Sequence, residues 1–179
     1  MSYELINTLA SVGTLAVITA TAIAAVAQLR HVRTSNQIAL LTKLHDTLQS
    51  EDFVEARQFV RTQLPELLRD PACREALHDS GSPRALRLAT MLGNFYENVG
   101  MFVRLGTIDR TTVCLLWGGL IEEAWSGLAP FLGVIRSDPA NSDIWENFEY
   151  LVTVSQDWNA QHPHGNYPPN ARRLPLPSP

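Results

Sequence analysis

Residues 5–29 read LINTLASVGTLAVITATAIAAVAQL, a 25-residue run without a charged side chain that ends abruptly at Arg30, His31, Val32 and Arg33. As a helix rising about 1.5 Å per residue it is about 38 Å long, against about 30 Å for the hydrocarbon core of a bilayer. Ten of its residues are Leu, Ile or Val and seven are Ala, with four Thr and one each of Asn, Ser, Gly and Gln. Ten central aliphatic residues contribute roughly −3 to −6 kcal/mol to insertion, against small penalties for the Thr and Gln. This reads as a membrane anchor. The competing reading is a buried core helix of a soluble bundle, apolar all round.

The flanks orient the span. Only Met1, Ser2, Tyr3 and Glu4 precede it, so the positive n-region of a cleaved secretory signal is missing. Arg30, Arg33 and the more distant Lys43 all follow the run, and positive residues favour the cytoplasmic side. The expectation is a single-pass protein of the cell inner membrane, N-terminus outside and body in the cytoplasm. Gly13, Ala16, Ala20 and Ala24 recur at about one helical turn, a small-residue spacing that lets two spans pack closely and form a homo-oligomer.

Working outward, residues 1–33 form the anchor with its basic flank, 34–162 a helical body and 163–179 a tail. About 150 residues after the span suffice for one core. The net charge of −4 and the late acidic residues Asp138, Asp143, Glu146, Glu149 and Asp157 argue against nucleic acid as a partner, which requires a basic surface. Cys73 and Cys114 are the only cysteines, without a CxxC spacing, and read as small core residues of a reducing compartment.

The body reads as all-helical. Ile38, Leu41, Leu44 and Leu48 make one apolar stripe, and nothing between Arg30 and Ser50 breaks a helix, so span and stripe join in one long helix. Ser50 followed by Glu51 and Asp52 opens a second helix, with Phe53, Ala56, Phe59, Val60 and Leu64 apolar and Pro65 kinking or interrupting it. A short helical piece over residues 71–78 and a turn at Ser80, Gly81 and Ser82 come next. Ser82 then caps the strongest helix, with Pro83 at its first position and Gly106 at its end. Asp109 caps a helix through Val113, Leu116, Leu120, Ile121 and Trp125, weakened by Gly118 and Gly119 and bent or restarted by Pro130. The last helix follows Asp138, Pro139, Ala140 and Asn141 and carries Trp145, Phe148, Leu151, Val152 and Ser155. No alternating strand pattern occurs. The expected architecture is an N-terminal transmembrane helix continuing into a cytoplasmic bundle of about four to six helices. Residues 163–179 hold six prolines and should be extended or disordered.

Chemistry is sparsely marked. The chain lacks GxxxxGK[ST], GxGxxG and GxSxG. Glu75 and His78 form one Glu-x-x-His, where a bundle di-metal site needs two plus further glutamates. His162 and His164 flank Pro163 beside the tail. No catalytic residue, metal site or cofactor is nominated. The most unusual segment is residues 94–106, where polar groups interrupt an aromatic helix. Asn94 and Asn98 share a face, and Glu97 and Arg104 lie two turns apart on one side. Buried between helices, Glu97 needs a cation or donor, for which Arg57, Arg61 and Arg136 are candidates. The readings are an internal salt-bridge network that fixes helix register, or a ligand pocket. Glu122 and Glu123 precede Trp125 but point about 100° apart, so they are not a facing carboxylate pair.

Gln28-Leu29-Arg30-His31 running on to Ser35-Asn36-Gln37, the Phe95-Tyr96-Glu97-Asn98-Val99-Gly100 helix, the Gly106-Thr107-Ile108-Asp109 turn, and the later Trp117, Trp125 and Arg136 together resemble a bacterial family. That family is catalogued as a domain of unknown function, number four-seven-six-zero in its series. The resemblance covers roughly residues 5–152. It implies a short membrane-anchored helical protein and brings no catalytic or binding residues with it. The leading functional expectation is a non-enzymatic, membrane-tethered interaction or scaffolding module whose partners are the bilayer and a cytoplasmic protein. The alternative is a small-ligand sensor or enzyme with a polar pocket around Glu97, Asn98 and Arg104.

Overall fold

The structure, a computed structural model, describes residues 3–72, 74, 83–168 and 170–175. Cys73, the Glu75 and His78 pair, Ser82 and most of the expected piece over 71–78 lie outside them. The described chain is all-helical, without a strand, and divides into two compact units, Met1–Thr47 and Leu48–Pro179.

Helix α1, Tyr3–Gln49, carries the apolar run and the following stripe in one unbroken element of 47 residues. No residue in its apolar window is buried, and Leu15, Ile18, Ile23 and Leu29 are each at least 60% exposed. Several threonine hydroxyls within α1 are satisfied locally. The hydroxyls of Thr8, Thr19 and Thr21 donate to the carbonyls of Glu4, Leu15 and Val17, at 2.9, 2.8 and 2.8 Å.

The second unit is built from α2 (Glu51–Thr62), α3 (Leu64–Arg69), α4 (Pro83–Arg104), α5 (Arg110–Ile135), a 3-10 turn (Pro139–Asn141) and α6 (Glu146–Gln161). Local chemistry sets several ends. The chain turns out of α1 at Ser50, whose carbonyl accepts the Phe53 and Val54 N–H groups at 3.1 and 3.0 Å. Pro65 occupies the first turn of α3, where its missing N–H costs no helical bond. Helix α4 stops at Gly106, whose φ of 67° suits a residue without Cβ. There Gly106 N–H bonds the Val103 carbonyl and Thr107 N–H the Phe102 carbonyl, a Schellman ending. Asp109 caps α5 by accepting the Thr112 N–H at 2.9 Å. Asp138 does the same for Ala140 in the 3-10 turn.

Helix α5 continues through Pro130 to Ile135. Its buried face is Val113, Cys114, Trp117, Ile121, Ala124, Leu128 and Phe131, while Leu116 of the expected stripe is 55% exposed. Helix α6 packs on α4 and α5, and α2 on α4. Aromatic rings run through the core between them. Phe53 of α2 meets Phe95 edge-on at 4.7 Å, Tyr96 stacks on Phe148 at 5.0 Å, and Trp125 meets Phe148 edge-on at 5.2 Å. Such pairs add about 0.5–1.5 kcal/mol each beyond area burial. Beyond α6 the described tail has no helix. Its Tyr167 hydroxyl donates to the Arg172 carbonyl at 2.8 Å, and the Arg173 guanidinium lies 4.7 Å from the centre of the Tyr167 ring.

Candidate functional site

Four of the polar residues singled out in the sequence, Asn94, Glu97, Arg104 and Arg136, converge on the start of α6. The cause lies in Trp145, which precedes that helix in the left-handed conformation, φ 61° and ψ 35°, with its indole buried. The sequence reading placed Trp145 inside the helix. A bulky residue held there carries about 1–2 kcal/mol of backbone strain, and its side chain cannot cap the helix it precedes. The cap comes instead from α4. One Glu97 carboxylate oxygen accepts the Phe148 N–H at 2.8 Å and the other accepts the Asn147 amide at 2.7 Å. Phe148 N–H is one of the groups at a helix start that lack an intrahelical acceptor, and a carboxylate there also meets the positive end of the helix dipole.

The rest of the network holds the same turn. Arg104 donates to the Asn147 side-chain oxygen at 3.2 Å, so Asn147 bridges Glu97 and Arg104. The Trp145 indole N–H donates to the Asn94 oxygen at 2.9 Å. Arg136, at the end of α5, donates to the Ile144 carbonyl at 3.0 Å and pairs with Glu149 at 2.7 Å. Glu97 is therefore met by an amide and a backbone N–H, and by none of the arginines proposed for it. Asn98 points to solvent. Backbone proximity makes the contact work: a Cβ at Gly93 would fall 2.0 Å from the Trp145 ring, and one at Gly100 would fall 2.0 Å from the Asn147 carbonyl oxygen. Gly93, Glu97 and Gly100 lie on one face of α4, a spacing present in the sequence whose meaning depended on knowing what packs there.

Glu122 and Glu123 part company. Glu122 accepts the Ser155 hydroxyl at 2.8 Å and the Asn159 amide at 2.7 Å, a second polar tie between α5 and α6. Glu123 faces α2, with Arg61 at 3.9 Å, both largely exposed. Arg57, expected near Glu97, belongs to this second region. There α2 and α5 enclose a cavity of about 360 Å³ whose floor includes Val60, Leu92 and Leu120 and whose edge carries Arg57, Arg61 and Glu123. The same three charged residues also line a cavity of about 260 Å³ with Val54 and Gln58. Arg57 donates to the Leu48 carbonyl at 3.4 Å, while its Nε is buried without a partner. Gly127 lets the helices approach, since a Cβ there would reach Val60 Cγ1 at 2.7 Å.

Among the described residues two groups have shifted protonation. Burial pushes the Tyr96 phenol far above its ordinary value, opposed by Arg57 and reinforced by Glu123. Its hydroxyl donates to the Leu120 carbonyl at 3.3 Å. Burial likewise raises the Cys114 thiol, partly offset by Arg110. Among the described residues no three His, Cys, Asp or Glu side chains are grouped to hold a metal ion. Arg30 and Arg33 lie exposed on α1 after the apolar run, and Gly13, Ala16, Ala20 and Ala24 are exposed within it.

Fold and site together define an all-α protein with one exposed N-terminal helix long and apolar enough to cross a membrane, and a helical body pinned by internal polar contacts. The chain belongs to the family described as Domain of unknown function (DUF4760), whose model matches residues 15–158. No curated protein and no solved structure matches the chain.

Proposed function

We propose that this protein is a non-enzymatic, membrane-tethered interaction or scaffolding module. In this reading α1 spans the cell inner membrane with its N-terminus outside, and the body faces the cytoplasm, where it engages a protein partner. The observation that carries it is that α1 holds, near the N-terminus, an apolar stretch long enough to cross a membrane. Arg30 and Arg33, directly after the run, support the orientation. The engagement of both Glu97 oxygens, one by the Phe148 N–H and one by the Asn147 amide, favours a scaffold over a pocket at that place. The small residues Gly13, Ala16, Ala20 and Ala24 offer a face for pairing of two anchors.

The test is extraction of the full-length protein from membranes, with protease access to a reporter at each end, followed by crosslinking in cells. Release by detergent but not by carbonate, a protected C-terminal reporter in intact spheroplasts and a crosslinked neighbour are expected. Release by carbonate overturns the tethering, and a monomer without any crosslinked neighbour overturns the interaction role.

A further inference from the structure

We infer that the cavity between α2 and α5 is a binding site for a small aliphatic monocarboxylate, its carboxylate held by Arg57 and Arg61 and its alkyl body against Val60, Leu92 and Leu120. The inference stands independently of the membrane reading.

At about 360 Å³ the cavity falls at the small end of ligand sites, which span about 300–1,000 Å³ and combine apolar walls with a few polar groups. Its walls have that composition: aliphatic side chains form the floor, and the ionic groups are gathered at one edge, where a second cavity of about 260 Å³ shares them. A ligand fitting this division has an apolar body and one charged head.

Charge sets the sign and number. Two guanidinium groups one turn apart on α2 face a single carboxylate, Glu123, leaving one positive charge over. The Arg61 to Glu123 pair is 3.9 Å long with both side chains more than half exposed, loose enough for a ligand carboxylate to compete for Arg61. Arg57 is the more constrained of the two cations. Its Nε is enclosed by protein, and among the described residues its hydrogen bond is a long 3.4 Å from Nη2 to the Leu48 carbonyl. A guanidinium has five donors, so the outer nitrogens keep N–H groups that a ligand carboxylate can take as charge-assisted bonds. A monocarboxylate matches the excess charge, whereas a phosphate dianion would exceed it and an amine would meet two cations.

The experiment is titration calorimetry of the full-length protein in lipid nanodiscs, with hexanoate, hexylammonium, hexyl phosphate and a blocked tripeptide ending in leucine as probes, and empty nanodiscs as the blank. One-site binding of hexanoate, none of hexylammonium, and at least about tenfold weaker hexanoate binding by Arg57→Gln are expected. Glu123→Gln should bind hexanoate more tightly, because it removes the internal competitor for Arg61; a misfolded variant cannot produce that gain. The assignment is overturned by absent hexanoate binding, by equal binding of hexylammonium, by an unchanged Arg57→Gln, or by a weakened Glu123→Gln. Tighter binding of hexyl phosphate overturns the choice of carboxylate, and tighter binding of the tripeptide reassigns the site to a polypeptide C-terminus.

Discussion

The carboxylate of Glu97, in the middle of α4, accepts the backbone N–H of Phe148 in the first turn of α6 at 2.8 Å. Helices that most often carry their own capping residue are here joined by a cap that comes from a neighbour, so one side chain serves both a helix end and a helix packing.

Glu97→Gln tests this directly. Glutamine keeps one acceptor oxygen but turns its NH2 toward either the Asn147 amide or the Phe148 N–H, setting a donor against a donor. A loss of about 1–3 kcal/mol is expected, read by urea unfolding. Unchanged stability would remove Glu97 from the structural role.

The glycines divide into two kinds. Gly100→Ala places a methyl against the Asn147 carbonyl oxygen, which backbone cannot yield cheaply, and should destabilise by about 1–3 kcal/mol. Gly119→Ala, an exposed position on α5 with nothing within 4 Å, should stabilise by about 0.5–1 kcal/mol. Thermal unfolding of the two variants beside the parent would show opposite shifts.

Tyr96 predicts an alkaline limb. Its phenol keeps its proton in the folded state well above the value of 10.0 at which the unfolded chain loses it. The contribution is therefore fully present below pH 10 and is lost as pH rises toward the folded value, with a limiting slope of about 1.4 kcal/mol per pH unit for one proton. Tyr96→Phe should flatten that limb while costing about 0.5–1.5 kcal/mol at neutral pH for the bond to Leu120. Denaturant midpoints across pH 8 to about 11 would measure both.

Cys114 is 8% exposed, and its Sγ lies 3.9 Å from the Val154 carbonyl. With burial favouring the thiol over the reactive thiolate, its alkylation in a Cys73→Ser background should be slow in the native protein and fast in urea. Equal rates in the two states would contradict the burial.

The features legible in the sequence were those written within a few residues. The break at Ser50, the Asp109 cap, the Gly106 stop and the unbroken run from the apolar stretch into the stripe each depend on near neighbours, and the helices follow. Glu97 stood out as a polar group in an aromatic helix, yet its partners lie about fifty residues away, and one is a backbone N–H that no side-chain pattern advertises. Trp145 was misplaced for the same reason: an aromatic residue beside an apolar stripe reads as helical until Gly93 and Asn94 are seen to hold its indole. Pro130 does not restart the helix, which runs on to Ile135 in one element of 26 residues. The α2 to α5 cavity was hidden because Arg57, Arg61 and Glu123 come from two distant helices.

The internal bonds of Thr8, Thr19 and Thr21 bear on what α1 can offer a second helix. With those protons already committed to carbonyls four residues back, the three hydroxyls bring no donor to a neighbouring helix. If two such helices pair as proposed, Gly13, Ala16, Ala20 and Ala24 act by steric fit alone, and the paired fraction follows the amount of protein present.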